Sequence, residues 1–200
     1  MKTGLNIGLK GVGLLVVVLV CASCSVLKSP YYAGELGTIS EKDLASETVW
    51  MQGDDVYFVK RVESNTVVAA TLDWDEKAGG YQIRSFPLVL STIGDHMFLN
   101  VKDGEYYSIF RVAGSDDDDT FLLFTIDSDK IKQDISDEKI KAREDGEDIV
   151  MECTKEEQDA YILENINSIF DMGSGSLVRK ISEDQESKPC NTENIGTEEK

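Results

Sequence analysis

Two hundred residues with 20 basic and 38 acidic side chains carry a formal net charge of -18. Such a surface repels phosphate backbones and anionic lipid headgroups, which disfavours nucleic-acid binding and electrostatic docking to a membrane. The length suits one domain once a leader and a tail are set aside.

At the N-terminus Lys2 and Lys10 precede the apolar run from Gly11 to Ala22, and small residues follow. That order is the order of a secretory leader. The run is too short for a spanning helix, which takes roughly 20 residues. The segment Val20-Cys21-Ala22-Ser23-Cys24 resembles the lipobox of bacterial lipoproteins, with Cys21 where that family usually has Leu. The resemblance implies cleavage after Ser23 and a diacylglyceryl group on Cys24. A thiol suits that role because its thiolate is the nucleophile that accepts the group. Several acyl chains at about 0.8 kcal/mol per buried methylene make such an anchor effectively permanent. Ser25 stands where an Asp would signal retention at an inner membrane, so the same resemblance favours an outer membrane. The expected organisation is a signal peptide over 1–23, a lipidated cysteine and tether over 24–46, a globular domain over 47–181 and a disordered acidic tail over 182–200.

The tether is expected because Pro30, Gly34 and Gly37 interrupt any periodic pattern. From Glu47 onward, segments rich in Val, Ile, Tyr, Phe and Thr recur between turn residues: 48–51, 56–62, 66–74, 81–90, 97–101, 106–112 and 120–126. Such spacing predicts an antiparallel meander. Ser64-Asn65, Lys77 to Gly80 and Lys102-Asp103-Gly104 are the hairpin connections. Phe121-Leu122-Leu123-Phe124 is apolar on both faces, as in a central strand or one lying under a helix. Asp127 to Asp134 suggests a short helix, and 138–143 and 148–153 further short strands. Thr154-Lys155-Glu156-Glu157 fits a capping box. Tyr161, Ile162, Ile166, Ile169 and Phe170 then repeat at helical spacing, with Gly173 and Gly175 as the stop. Leu177 to Ile181 returns as a last strand. The expected fold class is mainly β (α+β): an antiparallel meander forming a small barrel or sandwich, covered by one C-terminal helix.

Trp50 before a strand bearing Tyr57 and Val59, the stretch Gly94 to Leu99, Phe110-Arg111-Val112, the run from Phe121 to Lys130, and Met151 to Tyr161 lie between about 48 and 180. Together they resemble a group of small, mostly uncharacterised β-rich bacterial lipoproteins. The resemblance implies a small envelope domain and assigns no activity.

Motifs for chemistry are sparse. His96 is the sole histidine and has no nucleophile or carboxylate at a fixed spacing, which favours a surface role. No hydrolase, zinc-protease or P-loop pattern occurs after the leader. Asp116 to Asp119 lacks the alternating oxygen ligands of a calcium loop and reads as a solvated hairpin tip. Asp54 with Asp55, and Asp73 with Asp75, are the carboxylate pairs that an acid–base hydrolase would need. Cys153 reads as a core thiol, and Cys190 falls in the tail. Tyr31 and Tyr32 suit either a headgroup interface or packing on the domain. No catalytic, cofactor or metal residue is assigned, and Cys24 is the one site.

The functional expectation is therefore a lipid-anchored envelope lipoprotein that binds without catalysis. Its partners would be the membrane, through the lipid on Cys24, and an envelope protein or a small apolar ligand, with no nucleic acid. The alternatives are a lipocalin-like carrier of a small apolar ligand and a carboxylate-dependent envelope hydrolase.

Overall fold

The computed structural model describes residues 25–36, 47–63, 66–114, 119–173 and 175–181. Its strands are β1 (Leu27–Ser29), β2 (Glu35–Leu36), β3 (Glu47–Gln52), β4 (Asp55–Arg61), β5 (Thr66–Asp75), β6 (Gly80–Ile93), β7 (His96–Asp103), β8 (Tyr106–Gly114), β9 (Thr120–Phe124), β10 (Ala142–Asp145), β11 (Asp148–Met151) and β12 (Ser176–Ile181). Two helices, α1 (Ser128–Ser136) and α2 (Lys155–Ile169), lie between β9 and β12.

The predicted meander is present and closes. Strands β3 to β9 pair in sequence order, and β12 then pairs with both β9 and β3. The result is an eight-stranded antiparallel barrel, so the choice between barrel and sandwich falls to the barrel. Gly104, at φ +58°, takes the left-handed conformation that the tight turn between β7 and β8 demands. Once round the barrel the staggered register advances by about twelve residues, against about eight in a (β/α)8 barrel. With the strand number equal, a larger stagger means a steeper tilt and a wider interior.

The main core lies outside the barrel, between β7 to β9 and the two helices. Phe98, Ile109 and Phe124 project from the strands onto Ile131 of α1 and Tyr161, Ile162, Ile166 and Ile169 of α2. The helical repeat read from the sequence is therefore the buried face. Thr154 accepts from the Glu157 amide while the Glu157 carboxylate accepts from the Thr154 amide, which completes the expected capping box. The last turn of α2 has no basic residue of its own. Arg111 of β8 fills that role by donating to the Ile166 carbonyl at 3.2 Å, where a cation complements the helix dipole.

Two expectations change. First, residues 25–36 belong to the domain and not to a tether. Strand β1 pairs antiparallel with β8 and parallel with β11, and Leu27 is fully buried. The segment is fixed by polar groups distant in sequence. Asn100 Oδ1 accepts from the Ala33 amide at 2.8 Å, Ser91 donates to the Ala33 carbonyl, and Ser29 donates to Gln158. Lys155 Nζ reaches the carbonyls of Tyr32 and Gly34 and lies over the Tyr32 ring. Second, the strand expected over 138–143 is displaced to Ala142–Asp145, because Glu138 turns the chain at φ +57° after α1. The expected C-terminal covering helix is α2, and the short helix expected over Asp127 to Asp134 is α1, which carries Ile131 into the same core. The signal peptide expected over 1–23, Cys24, residues 37–46 and the tail expected over 182–200 lie outside the described residues.

Candidate binding site

Two surfaces of the barrel have the character of binding sites, and the register separates them. The helices pack on the face that carries Phe98 and Ile109, so the opposite face of each strand lines the lumen. Aromatic contacts agree with this assignment. Trp50 on β3 meets Phe121 on β9 at 5.1 Å across the intervening β12, and Tyr57 on β4 meets Phe86 on β6 at 6.2 Å across β5. Only the concave side of a curved sheet brings next-but-one strands so close.

The lumen is apolar in its middle. Val67, Ala69 and Leu88 are buried there, with Val59, Phe86, Leu99 and Val101 packed against them. Phe110, Val112, Phe121 and Leu123 also face inward and stay half-buried. The one indole N–H here is satisfied within its own strand, since Trp50 Nε1 donates to Thr48 Oγ1 at 2.8 Å. Polar groups gather at the end formed by the 53–54 and 76–79 turns. Arg84 pairs with Asp73 at 2.9 Å, and Gln82 donates to Asp75 at 2.8 Å. Burial, followed by the charges of Asp54 and Asp73, raises the Asp55 carboxyl above its ordinary range. Of the carboxylate pairs considered from sequence, Asp55 and Asp73 thus share the mouth of the lumen. Asp75 is engaged by the amides of Lys77 and Ala78 in its own turn.

The second surface lies on the outer side of β4, β5 and β6, beyond the reach of both helices. Phe58 is 56% exposed, Leu72 59%, Trp74 40%, Tyr81 72% and Ile83 75%. Leu72 pairs with Ile83 and Trp74 with Tyr81 across the β5–β6 ladder, and the Trp74 and Tyr81 rings meet edge to face at 5.1 Å. Ala70, opposite Phe58, forms the floor of an open groove of about 390 Å³ between Phe58, Leu72 and Ile83. Lys60, the charged residue of β4 on this side, is held by Glu47 at 2.8 Å. The face is thus a continuous apolar strip without an unpaired charge among its described residues.

The remaining sequence candidates are scattered. His96 begins β7, half-buried, opposite Ile93 across the Gly94–Asp95 turn. Of Asp116 to Asp119, Asp119 is described and lies 3.5 Å from Lys180. Cys153 is a free thiol at the edge of the main core, while Cys190 lies outside the described residues. Tyr32 packs on the domain, edge to face with Tyr107 at 5.9 Å, whereas Tyr31 is exposed. Among the described residues no group of three or more His, Cys, Asp or Glu could hold a metal ion, and no helix is long and apolar enough to cross a membrane.

The outer strip is not legible in the sequence, because Phe58, Leu72 and Ile83 look like ordinary inward positions of alternating strands. The alternation marks two faces and does not say which is inside when both carry apolar residues. No family model, curated protein or solved structure matches the chain.

Proposed function

We propose that the chain is a lipid-anchored lipoprotein of the bacterial envelope, held through Cys24 and favouring the outer membrane, whose barrel acts by binding. The lipobox-like segment ending at Cys24 supports the anchor. The observation that carries the binding role is the uncovered apolar strip on β4 to β6, since soluble proteins rarely leave such faces open without a partner. An anchor confines the barrel near the membrane and raises its effective concentration toward neighbours on the same surface. Labelled palmitate fed to cells is expected to label the protein, and Cys24→Ala to remove the label. Persistent label in that variant would refute the anchor. Crosslinking from the strip is expected to capture a discrete protein, and no capture would refute the binding role.

A second reading places a small apolar ligand in the lumen. It is favoured by the inward aromatics that remain half-buried in a widely staggered barrel, above a mouth bearing Asp55, Asp73 and Arg84. A fluorescent fatty-acid probe held there is expected to quench Trp50 and to be displaced by unlabelled fatty acid. Trp50→Phe removes the quenching without removing the probe if the lumen is the site.

A further inference from the structure

We infer that the apolar strip is an isologous interface between two copies of this chain, an inference that rests on its role as a docking surface. The first argument is shape. The groove floored by Ala70 and the ridge of Trp74 and Tyr81 lie next to each other along the same strands, with the Leu72–Ile83 pair between them. A twofold axis lying between two such faces, running across the strands at Leu72 and Ile83, places each ridge over the other copy's groove. Self-complementarity of this kind is what an isologous contact requires.

The second argument is area. With ordinary residue areas, the exposed parts of Phe58, Leu72, Trp74, Tyr81 and Ile83 come to roughly 600 Å². One monomer usually leaves at most about 300–600 Å² in a single patch. Two copies would cover about 1,200 Å² together, at the lower end of the range of stable protein–protein interfaces.

Charge is the third argument. Two chains of net charge -18 repel, yet the strip itself brings no like charges face to face. The repulsion is long-range and is screened by salt, so pairing strengthens as ionic strength rises. A bilayer is a poorer occupant. The outer sides of β7 to β9 are covered by the helices, so the barrel cannot span, and the acidic surface is repelled by anionic headgroups.

The test uses the full chain in its own cells, with photoreactive benzoylphenylalanine replacing Phe58. Illumination is expected to give a species of twice the monomer mass whose crosslinked peptides join strip to strip. Membranes prepared from these cells should give more of it at 500 mM than at 50 mM salt. Ile83→Glu should remove it while leaving the level of the protein unchanged, because Ile83 is three-quarters exposed. The same photoreactive residue replacing Glu144, exposed on β10, should give no dimer. Capture of a different protein through the strip would overturn self-pairing and keep the docking reading. Lipid adducts alone, or no adduct, would overturn both.

Discussion

The Tyr161 hydroxyl donates to Asp134 Oδ2 at 3.0 Å, joining α2 to α1 beneath the main core. Asp134 is fully buried and also receives Lys130 Nζ at 2.7 Å and Lys139 Nζ at 2.9 Å. Burial alone would raise its pKa, but these three donors outweigh it and hold the carboxyl at about 2. Burial, and then the bond to Asp134, pushes the Tyr161 phenol up. The folded carboxyl binds its proton less tightly than the unfolded one. The cluster therefore stabilises fully above about pH 4 and loses that contribution as pH falls through about 2. Asp134→Asn is expected to lower the urea midpoint clearly at pH 7 and much less at pH 2.5. Tyr161→Phe should cost about 1–2 kcal/mol at neutral pH.

Gly34 carries the tightest backbone contact of the N-terminal segment. At φ +71°, a Cβ there would stand 2.2 Å from the Thr92 carbonyl oxygen, which is backbone and cannot swing away. Gly34→Ala is expected to destabilise by more than the roughly 1–3 kcal/mol of left-handed strain alone. Gly104→Ala, where a Cβ meets nothing within 4 Å, should show only that strain. Comparison of the two thermal midpoints separates the clash from the strain.

The capping box at Thr154 and Glu157 sets where α2 begins. Thr154→Ala should cost about 1 kcal/mol in chemical denaturation, and Thr154→Ser close to nothing, since Ser supplies the same acceptor.

Cys153 is a poor nucleophile for a definite reason. Burial, and then the charge of Glu157, raises its thiol pKa, so less thiolate is present at any given pH. Iodoacetamide at pH 8 should modify Cys153 more slowly in the folded chain than in urea. Glu157→Gln should speed the folded reaction slightly by removing the nearby charge.

Elements with a long periodic signal are legible in the sequence. The alternation in 66–74 and 81–90 became β5 and β6, and the 161–170 repeat became the buried face of α2. Leu27-Lys28-Ser29 could not be read that way. Three residues carry too little pattern, and their burial comes from hydrogen bonds to Gln158 and pairing with Ile109 and Ile149, all far along the chain. Of the candidate site, Asp55 and Asp73 were visible as carboxylates. Their common mouth required the barrel register to bring β4 beside β5. The outer strip was hidden for a different reason: closure decides which face of β5 turns inward, and closure depends on β12 reaching β3.

The place of β1 has a consequence for how the chain acquires its shape. Strand β1 leaves a ribosome first, but its partners are Tyr107 to Ile109 and Ile149 to Val150. The earliest strand must therefore wait for most of the polypeptide before it can pair. Contacts so distant along the chain carry a large loop-closure entropy and slow the search. The barrel strands β3 to β8, each paired with its neighbour in sequence, can assemble beforehand by short hairpin steps. Insertion of residues 26–34 between β8 and β11 is then a late event. A variant that weakens it, such as Asn100→Ala, should leave a compact barrel whose first strand is accessible to proteases.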